Sequence, residues 1–352
     1  MSASLALGPT QVTPGSVLVQ AQLRTKARPP PAGTSFAGKT AIVTGSSSGL
    51  GLEASRQMLA LGLSHLVMGV RDSAKGERAA APLRTRYPLA RVDVWVLDQT
   101  SFDSVRAFAA RCASDIDRLD IVILNVGMAT PEWIVTEDGH ESMFQVNYLS
   151  TALLGLLLLP QLKASGIAHA SGPGRLTIVG SNLALTEPFL PTDKSPLFSY
   201  LDDKDTNAKT WGLQAAQHRH VVTKIMGMML VQKLGELVDP DLVIVNNVDP
   251  GMVKNTELQR RLPAVLKAII WLVFALIART LEQGGWLYLD AVAVKGRESH
   301  GGFLFSWELH SFHPDMYTPE GRATTDRVWH ETLRTLDFAD VQGALASVRR
   351  AT

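Results

Sequence analysis

The chain has 352 residues, 46% of them hydrophobic and 19% charged, with 34 basic residues against 33 acidic ones. That length can bury a large core in one domain, and the near-zero charge balance sets nucleic acid aside as a partner. Cys112 is the single cysteine, which excludes an intramolecular disulfide framework and fits a reducing, cytoplasmic setting.

Residues 1–36 hold no Asp or Glu, carry Arg24, Lys26 and Arg28, and include the run Pro29-Pro30-Pro31. Proline forbids a targeting helix after Arg28, and no apolar secretion core precedes it. The stretch therefore reads as a disordered tail with a stiff linker. The texture changes at Ala37. Residues 40–43 are a short β-branched run, followed by glycine-rich Thr44–Gly51 and a helical stretch over 52–61 that Gly62 ends. Strands are expected at 66–70 and 92–97, a helix over 101–112, and a strand at 121–124. The last is apolar throughout, as a strand covered on both faces should be. Then come a helix over 139–162, a strand at 176–179, a helix over 220–237 and a strand at 242–248. Strands alternating with helices imply βαβ units and an α/β fold with a doubly wound, mostly parallel sheet. The single domain spans 37–310, and 311–352 form a C-terminal extension packed on it.

Two stretches break the rhythm. Residues 183–217 are a polar, proline-bearing insertion, and 252–300 are irregular. Long connections at the carboxyl ends of strands build substrate sites, so they read as an active-site insertion and a substrate-covering segment. The latter holds the apolar run 264–278, which contains Lys267 and stops at Arg279. It is shorter than the roughly 20 residues of a spanning helix. A buried or covering helix is the first reading and membrane-surface association the lesser one. Leu153–Pro160 reads as core.

The strongest chemical signal is Thr44-Gly45-Ser46-Ser47-Ser48-Gly49-Leu50-Gly51 between a strand and a helix. A glycine-rich turn there lets backbone approach a pyrophosphate, and the helix N-terminus supplies N–H donors. At the end of the second strand stands Arg71, where a basic residue can pair with a 2′-phosphate, beside Asp72, an acidic residue of the kind that pairs with a free 2′-hydroxyl. Arg71 points to NADP(H), with NAD(H) as the second choice. Nine histidines show no metal-ligand spacing and no Gly-x-Ser-x-Gly elbow occurs, so neither a metal site nor a hydrolase is expected.

The ordered set of Thr44–Gly51, Val70-Arg71-Asp72, Leu97-Asp98, Asn125-Val126-Gly127, Asn147, Ser181, Lys224 and Asp249-Pro250-Gly251 resembles the short-chain dehydrogenase/reductase family. Within it the chain is similar to the branch of retinol dehydrogenases, protochlorophyllide reductase and fungal secondary-metabolism reductases. The resemblance implies a Rossmann-type fold, an NAD(P)(H) cofactor and hydride transfer between it and a carbonyl or alcohol. It implies that Gly45, Ser47, Ser48, Gly49, Leu50, Gly51 and Arg71 bind the cofactor. Asp98 would meet the adenine amino group, Asn125 and Gly127 would lie beside the cofactor, and Pro250 and Gly251 would flank the nicotinamide. Asn147 would anchor a proton-relay water, Ser181 would bind the substrate oxygen, and Lys224 would hold the nicotinamide ribose. Val126 replaces a usual alanine. The helix around Leu153–Leu159 occupies the position through which the family forms homodimers.

One departure matters. The family places Tyr and Lys at i and i+4 on one helical face, and four residues before Lys224 stands His220. Tyr200 and Lys204 share that spacing, but Lys204 leads into polar residues whereas Lys224 leads into an apolar helix. His220 is therefore the expected acid–base residue. The nearby ammonium should depress its pKa. Imidazole is also shorter than phenol, and misplacement by roughly 1 Å can cost about 10²-fold. Three functions follow from these residues: an NADP(H)-dependent reductase or dehydrogenase acting on a hydrophobic small molecule, set in fungal secondary-metabolite biosynthesis; a fold turned to non-redox isomerisation, dehydration or cyclisation; and a binding protein that senses NADPH. The first is the primary expectation.

Overall fold

A computed structural model describes residues 2–169, 172–254 and 277–350. An inner strand of its sheet is β1 (Thr40–Thr44), buried along its whole length. On one side lie β2 (His65–Val70) and β3 (Arg91–Val96). On the other lie β4 (Ile121–Leu124), β5 (Gly174–Val179), β6 (Val243–Val248), β7 (Gly302–Phe305) and β8 (Glu308–His310). The order is β3-β2-β1-β4-β5-β6-β7-β8, parallel except for the antiparallel β7–β8 hairpin. The chain reverses its direction of winding between β1 and β4. In an open parallel sheet, that reversal opens a crevice beyond the carboxyl ends of the strands. This is the α/β, doubly wound, mostly parallel arrangement that the alternation of elements implied.

Helices cover both faces. On one face α1 (Gly49–Ala60) and α2 (Ser73–Arg86) share a core with α6 (Leu281–Leu289). On the other, α3 (Phe102–Asp115), α4 (Ser142–Ala168), α5 (Leu213–Leu237), α7 (Pro319–Thr335) and α8 (Val341–Ala346) enclose a larger one. Two helices differ from expectation. The α2 segment is mostly polar, with only Gly76, Ala80 and Leu83 buried, too sparse a stripe to reveal a helix by periodicity. Helix α5 begins at Leu213 rather than His220, so the site residues stand well inside it.

The lead-in read as a disordered tail is instead tied to the far edge of the sheet. Ser2 Oγ donates to the Gly301 carbonyl, and Ser4 Oγ accepts from Phe303 N at 2.7 Å. Val17 and Ala21 are buried. These ties are scattered single bonds and isolated buried residues, which leave no periodic signal in the sequence.

The C-terminal extension braces the insertion. Both carboxylate oxygens of Glu331, on α7, accept from Leu197 N (2.9 Å) and Phe198 N (2.7 Å). Helix α8 packs on α4, and Leu153, Leu154, Leu156, Leu158 and Leu159 are all buried within this one chain. Among the described residues α4 alone is long and apolar enough to cross a membrane, and 94% of its most apolar window is buried, as in a core helix. The run 264–278 lies outside the described residues apart from its last two positions.

Replacing Ser4 by Ala leaves the Phe303 N–H without its partner. The expected cost is about 1–3 kcal/mol in urea unfolding. An unchanged midpoint would mean that the N-terminal segment is not part of the folded unit.

Candidate functional site

The glycine turn leaves β1 and enters α1 with Gly45 at φ 66° and Gly49 at φ 58°, left-handed conformations that glycine adopts without strain. A Cβ on Gly51 would lie 2.7 Å from Asn125 Nδ2 and 2.8 Å from the Gly45 carbonyl, so the turn closes tightly there. At Gly49 a Cβ would meet nothing within 4 Å. Ser48 occupies the N-cap of α1 but its side chain makes no capping bond. The first-turn N–H groups therefore lack a side-chain cap, with open space before them: a cradle that fits a pyrophosphate.

Asn125 braces this turn. Its Nδ2 donates to the Thr44 carbonyl at 2.9 Å, while its Oδ1 accepts from the Tyr288 hydroxyl at 2.8 Å. Thr44 Oγ1 in turn accepts from Asn125 N and Val126 N. Tyr288, on α6, could not be found by sequence reasoning because its partner lies 163 residues away. Val126 packs against Gly45, where its Cγ2 would be 3.1 Å from an added Cβ.

At the end of β2 the two adjacent charges separate in role. Asp72 caps α2, its carboxylate accepting from Lys75 N at 2.9 Å, and that bond holds its pKa below the usual value. Arg71 is exposed, and Lys75 Nζ lies 3.4 Å from Ser48 Oγ on the glycine turn. Asp98, half-buried beyond β3, accepts from Thr100 N (2.9 Å) and Thr100 Oγ1 (2.7 Å), so one of its oxygens is engaged locally.

The remaining expected residues lie beyond β4 and β5. Asn147 sits in a π-turn of α4, Gln145–Leu149, a local widening of the kind that re-aims side chains at sites. Its Oδ1 accepts from Met128 N at 2.7 Å, and its Nδ2 donates to the Met128 carbonyl at 3.0 Å. His220 Nδ1 reaches the same carbonyl at 3.1 Å. One turn along α5, Lys224 Nζ donates to the Val179 carbonyl at 2.8 Å. Ser181 follows two residues after Val179, its Oγ accepting from Leu183 N at 3.3 Å. A Cβ on Gly127 would lie 3.4 Å from Lys224 Nζ and 3.7 Å from Asn147 Oδ1. The ammonium has two N–H groups beyond the one given to Val179, and its nitrogen stands on the side of Gly127 where a side chain would be.

Burial sets the charges. It draws the Lys224 ammonium down to about 8, which leaves it mostly protonated at neutral pH. His220 is drawn down to about 4, first by burial and then by Lys224, and so is neutral. Tyr200 is not part of this group. Its helix, Leu197–Asp202, ends before Lys204, which opens a separate short helix, so the two do not share a face.

Several contacts here carried no sequence signal. Asp249 is buried and accepts from Asn182 N and Asn182 Nδ2, both at 3.0 Å, fixing the backbone after Ser181 to the Pro250-Gly251 turn. Gly251, at φ 71°, faces the buried guanidinium of Arg279, which stacks 4.7 Å from the Trp307 ring. Arg219, beside His220, points the other way to the Leu201 carbonyl and Glu141, between Trp133 and Trp211. Among the described residues no group of His, Cys, Asp and Glu is placed to hold a metal.

Comparison with known proteins places this geometry. Residues 39–189 match the family model described as short chain dehydrogenase. Short chain dehydrogenase/reductase mfmJ of Annulohypoxylon moriforme is 42% identical over 329 residues, 93% of this chain and 93% of that one. Short chain dehydrogenase virL of Hypocrea virens is 42% identical over 328 residues, again 93% of each. L-sorbose reductase from Gluconobacter frateurii, solved with NADPH and L-sorbose, shares the fold with a TM-score of 0.56 at 19% identity, over 80% of this chain and 97% of that one.

Two predictions follow from the packing and charges of this region. Because the folded pKa of His220 is depressed, its contribution to stability is present above about 6.5 and lost as pH falls toward 4. That shift corresponds to about 3 kcal/mol at the acid limit, so His220→Gln should flatten the acid limb of a urea-unfolding series against pH. An identical slope in the variant would contradict the neutral, buried imidazole. Gly180 is the second case: its Cβ would fall 1.9 Å from Oδ1 of Asn247, whose amide is buried without a partner. Gly180→Ala should cost about 1–3 kcal/mol, and adding Asn247→Ala should recover most of it.

Proposed function

The chain belongs to the short-chain dehydrogenase/reductase family, and on that premise we propose that it transfers a hydride between NADP(H) and a hydrophobic carbonyl or alcohol. The observation that carries the reading is the meeting of Asn147 and His220 at Met128 beyond β4, with Lys224 one turn along α5 bonded to the end of β5 two residues before Ser181, together with an uncapped glycine turn after β1. The turn would hold the pyrophosphate on the N–H groups of α1. Lys224 would hold the nicotinamide ribose on its two remaining N–H groups. The nicotinamide, when bound, supplies hydride chemistry. Ser181 orients the substrate oxygen, and His220 exchanges the proton.

Two features support NADP(H) over NAD(H). Arg71 is exposed at the end of β2 with Lys75 close to the turn, and Asp72, the acidic residue that would favour a free 2′-hydroxyl, is committed to capping α2. An apolar substrate is supported by Leu183, 41% exposed and two residues from Ser181. Fungal secondary-metabolite biosynthesis is the setting we propose. A non-redox reaction is the second reading, favoured by the neutral state of His220, which has no proton to give at its free nitrogen.

Calorimetric titration tests the cofactor. Arg71→Ala should weaken NADPH binding by about tenfold or more, the loss of one charge-assisted phosphate contact, and leave NADH binding nearly unchanged. Equal weakening of both, or no dinucleotide binding by the unaltered protein, would overturn the assignment. With binding established, Lys224→Ala should abolish turnover followed at the nicotinamide absorbance.

A further inference from the structure

Residues 252–254 and 277–279 meet beside the Pro250-Gly251 turn, and the N-terminal segment fastens them there. Arg279 N donates to the Met252 carbonyl and Lys254 N to the Arg279 carbonyl, both at 2.9 Å. The helical turns Pro14–Leu18 and Val19–Arg24 supply the fastening. With its side-chain amide oriented so that both atoms find a partner, Gln22 accepts from Met252 N at 2.8 Å and donates to the Ile277 carbonyl at 3.0 Å. Arg279 Nη2 donates to the Ala21 carbonyl. A Cβ on Gly251 would fall 2.7 Å from Arg279 Nη1 and 3.2 Å from the Gln22 side-chain amide, so both groups stand against its bare face.

Two costs are accepted in this cluster. Arg279 is 5% exposed and its Nη1 is buried with no hydrogen-bond partner, which is unfavourable for a donor. The β7–β8 hairpin turns on Ser306 and Trp307 at φ 53° and 65°, left-handed conformations that favour glycine and asparagine. For a residue as bulky as Trp307 that is an outlier. It places the buried indole 4.7 Å from the Arg279 guanidinium. Strain of this kind persists where the surroundings over-determine it, and it clusters at functional sites.

We infer that Gln22 and Arg279 are positioning residues for the nicotinamide end of the cofactor, acting through the Pro250-Gly251 turn, and that the N-terminal segment is thereby part of the site. The inference rests on the proposed binding of NADP(H), in which that turn flanks the nicotinamide. Neither side chain needs to touch the ligand. Proline fixes its own φ, but Gly251, at φ 71°, has no side chain to restrict it. Its place is set from outside, by the guanidinium against its bare face and by the amide that holds Met252 N. The adenosine half of the cofactor would lie at the glycine turn and Arg71, beyond β1 and β2, and none of these bonds reaches there. Loosening the junction therefore weakens the hold on one half of the dinucleotide and spares the other.

Two readouts on the full chain test this. The first is calorimetric titration with NADPH and with 2′,5′-ADP, the adenosine half alone. Gln22→Met removes both amide bonds from a half-buried side chain while keeping its length, and Arg279→Met is the second variant. Urea unfolding shows that each variant is folded under the conditions of titration. NADPH binding should weaken by about tenfold or more, with 2′,5′-ADP binding nearly unchanged. Equal weakening of both ligands would make these contacts merely structural and overturn the inference. The second readout is amide hydrogen exchange without cofactor, followed by mass spectrometry. Met252 N–H should be protected in the unaltered protein and exchange faster in Gln22→Met. Exchange in the unaltered protein as fast as in an exposed loop overturns the inference whatever the variants do. Failure of the unaltered protein to bind NADPH overturns the hydride-transfer reading and this role with it, whereas NADPH binding that neither variant weakens overturns this role alone.

Discussion

The site is organised around one buried ammonium. Lys224 is 8% exposed and gives one of its three N–H groups to the Val179 carbonyl. An ammonium removed from water is costly unless its donors find partners and its surroundings are arranged for it. Here the surroundings comply one by one. Gly127 offers backbone without a side chain, Asn147 turns its carbonyl oxygen toward the same space, and His220 one turn away stays neutral. A second charge on that face would be opposed at short range in a dry setting. The ammonium and the uncharged imidazole are therefore a single electrostatic arrangement.

The rest of the fold holds that arrangement still. Reversal of winding between β1 and β4 brings the glycine turn and the Asn125-Val126-Gly127 loop together, and Asn125 bonds across to Thr44 while Tyr288 fixes it from α6. Asp249 ties the residue after Ser181 to the Pro250-Gly251 turn. The two terminal segments act from outside: Ser2 and Ser4 bond to the edge around β7, while Glu331 anchors the insertion that follows Ser181. Of the residues that would bind ligand, Asn147, His220 and Lys224 stand on α4 and α5, while the loops carrying Asn125 and Ser181 are tied by side chains from other elements.

Local chemistry was legible in the sequence and long-range chemistry was not. The strand runs, the glycine turn and the pairing of His220 with Lys224 depend on residues a few positions apart, so spacing alone located them. The polar α2 has too few buried positions to show a period, and the N-terminal segment is held by scattered single bonds. The fit of Gly180 to Asn247, the bond from Tyr288 to Asn125 and the stacking of Arg279 on Trp307 join residues far apart in the chain. Asp72 is instructive in another way. Its type suggested a ribose ligand, but its position at a helix N-terminus decided its use.

The most direct test is whether hydrogen crosses between a dinucleotide and a substrate. The protein would be incubated with host metabolite extract and NADPH deuterated at the transferable position, and in parallel with NADP+ and extract from cells grown in deuterated medium. Mass spectrometry would follow the label, with Ser181→Ala, Lys224→Ala protein as control. The account predicts deuterium in a product or in the recovered NADPH, absent from the control. A new product formed without any transfer of label would contradict hydride transfer and assign the imidazole to non-redox chemistry.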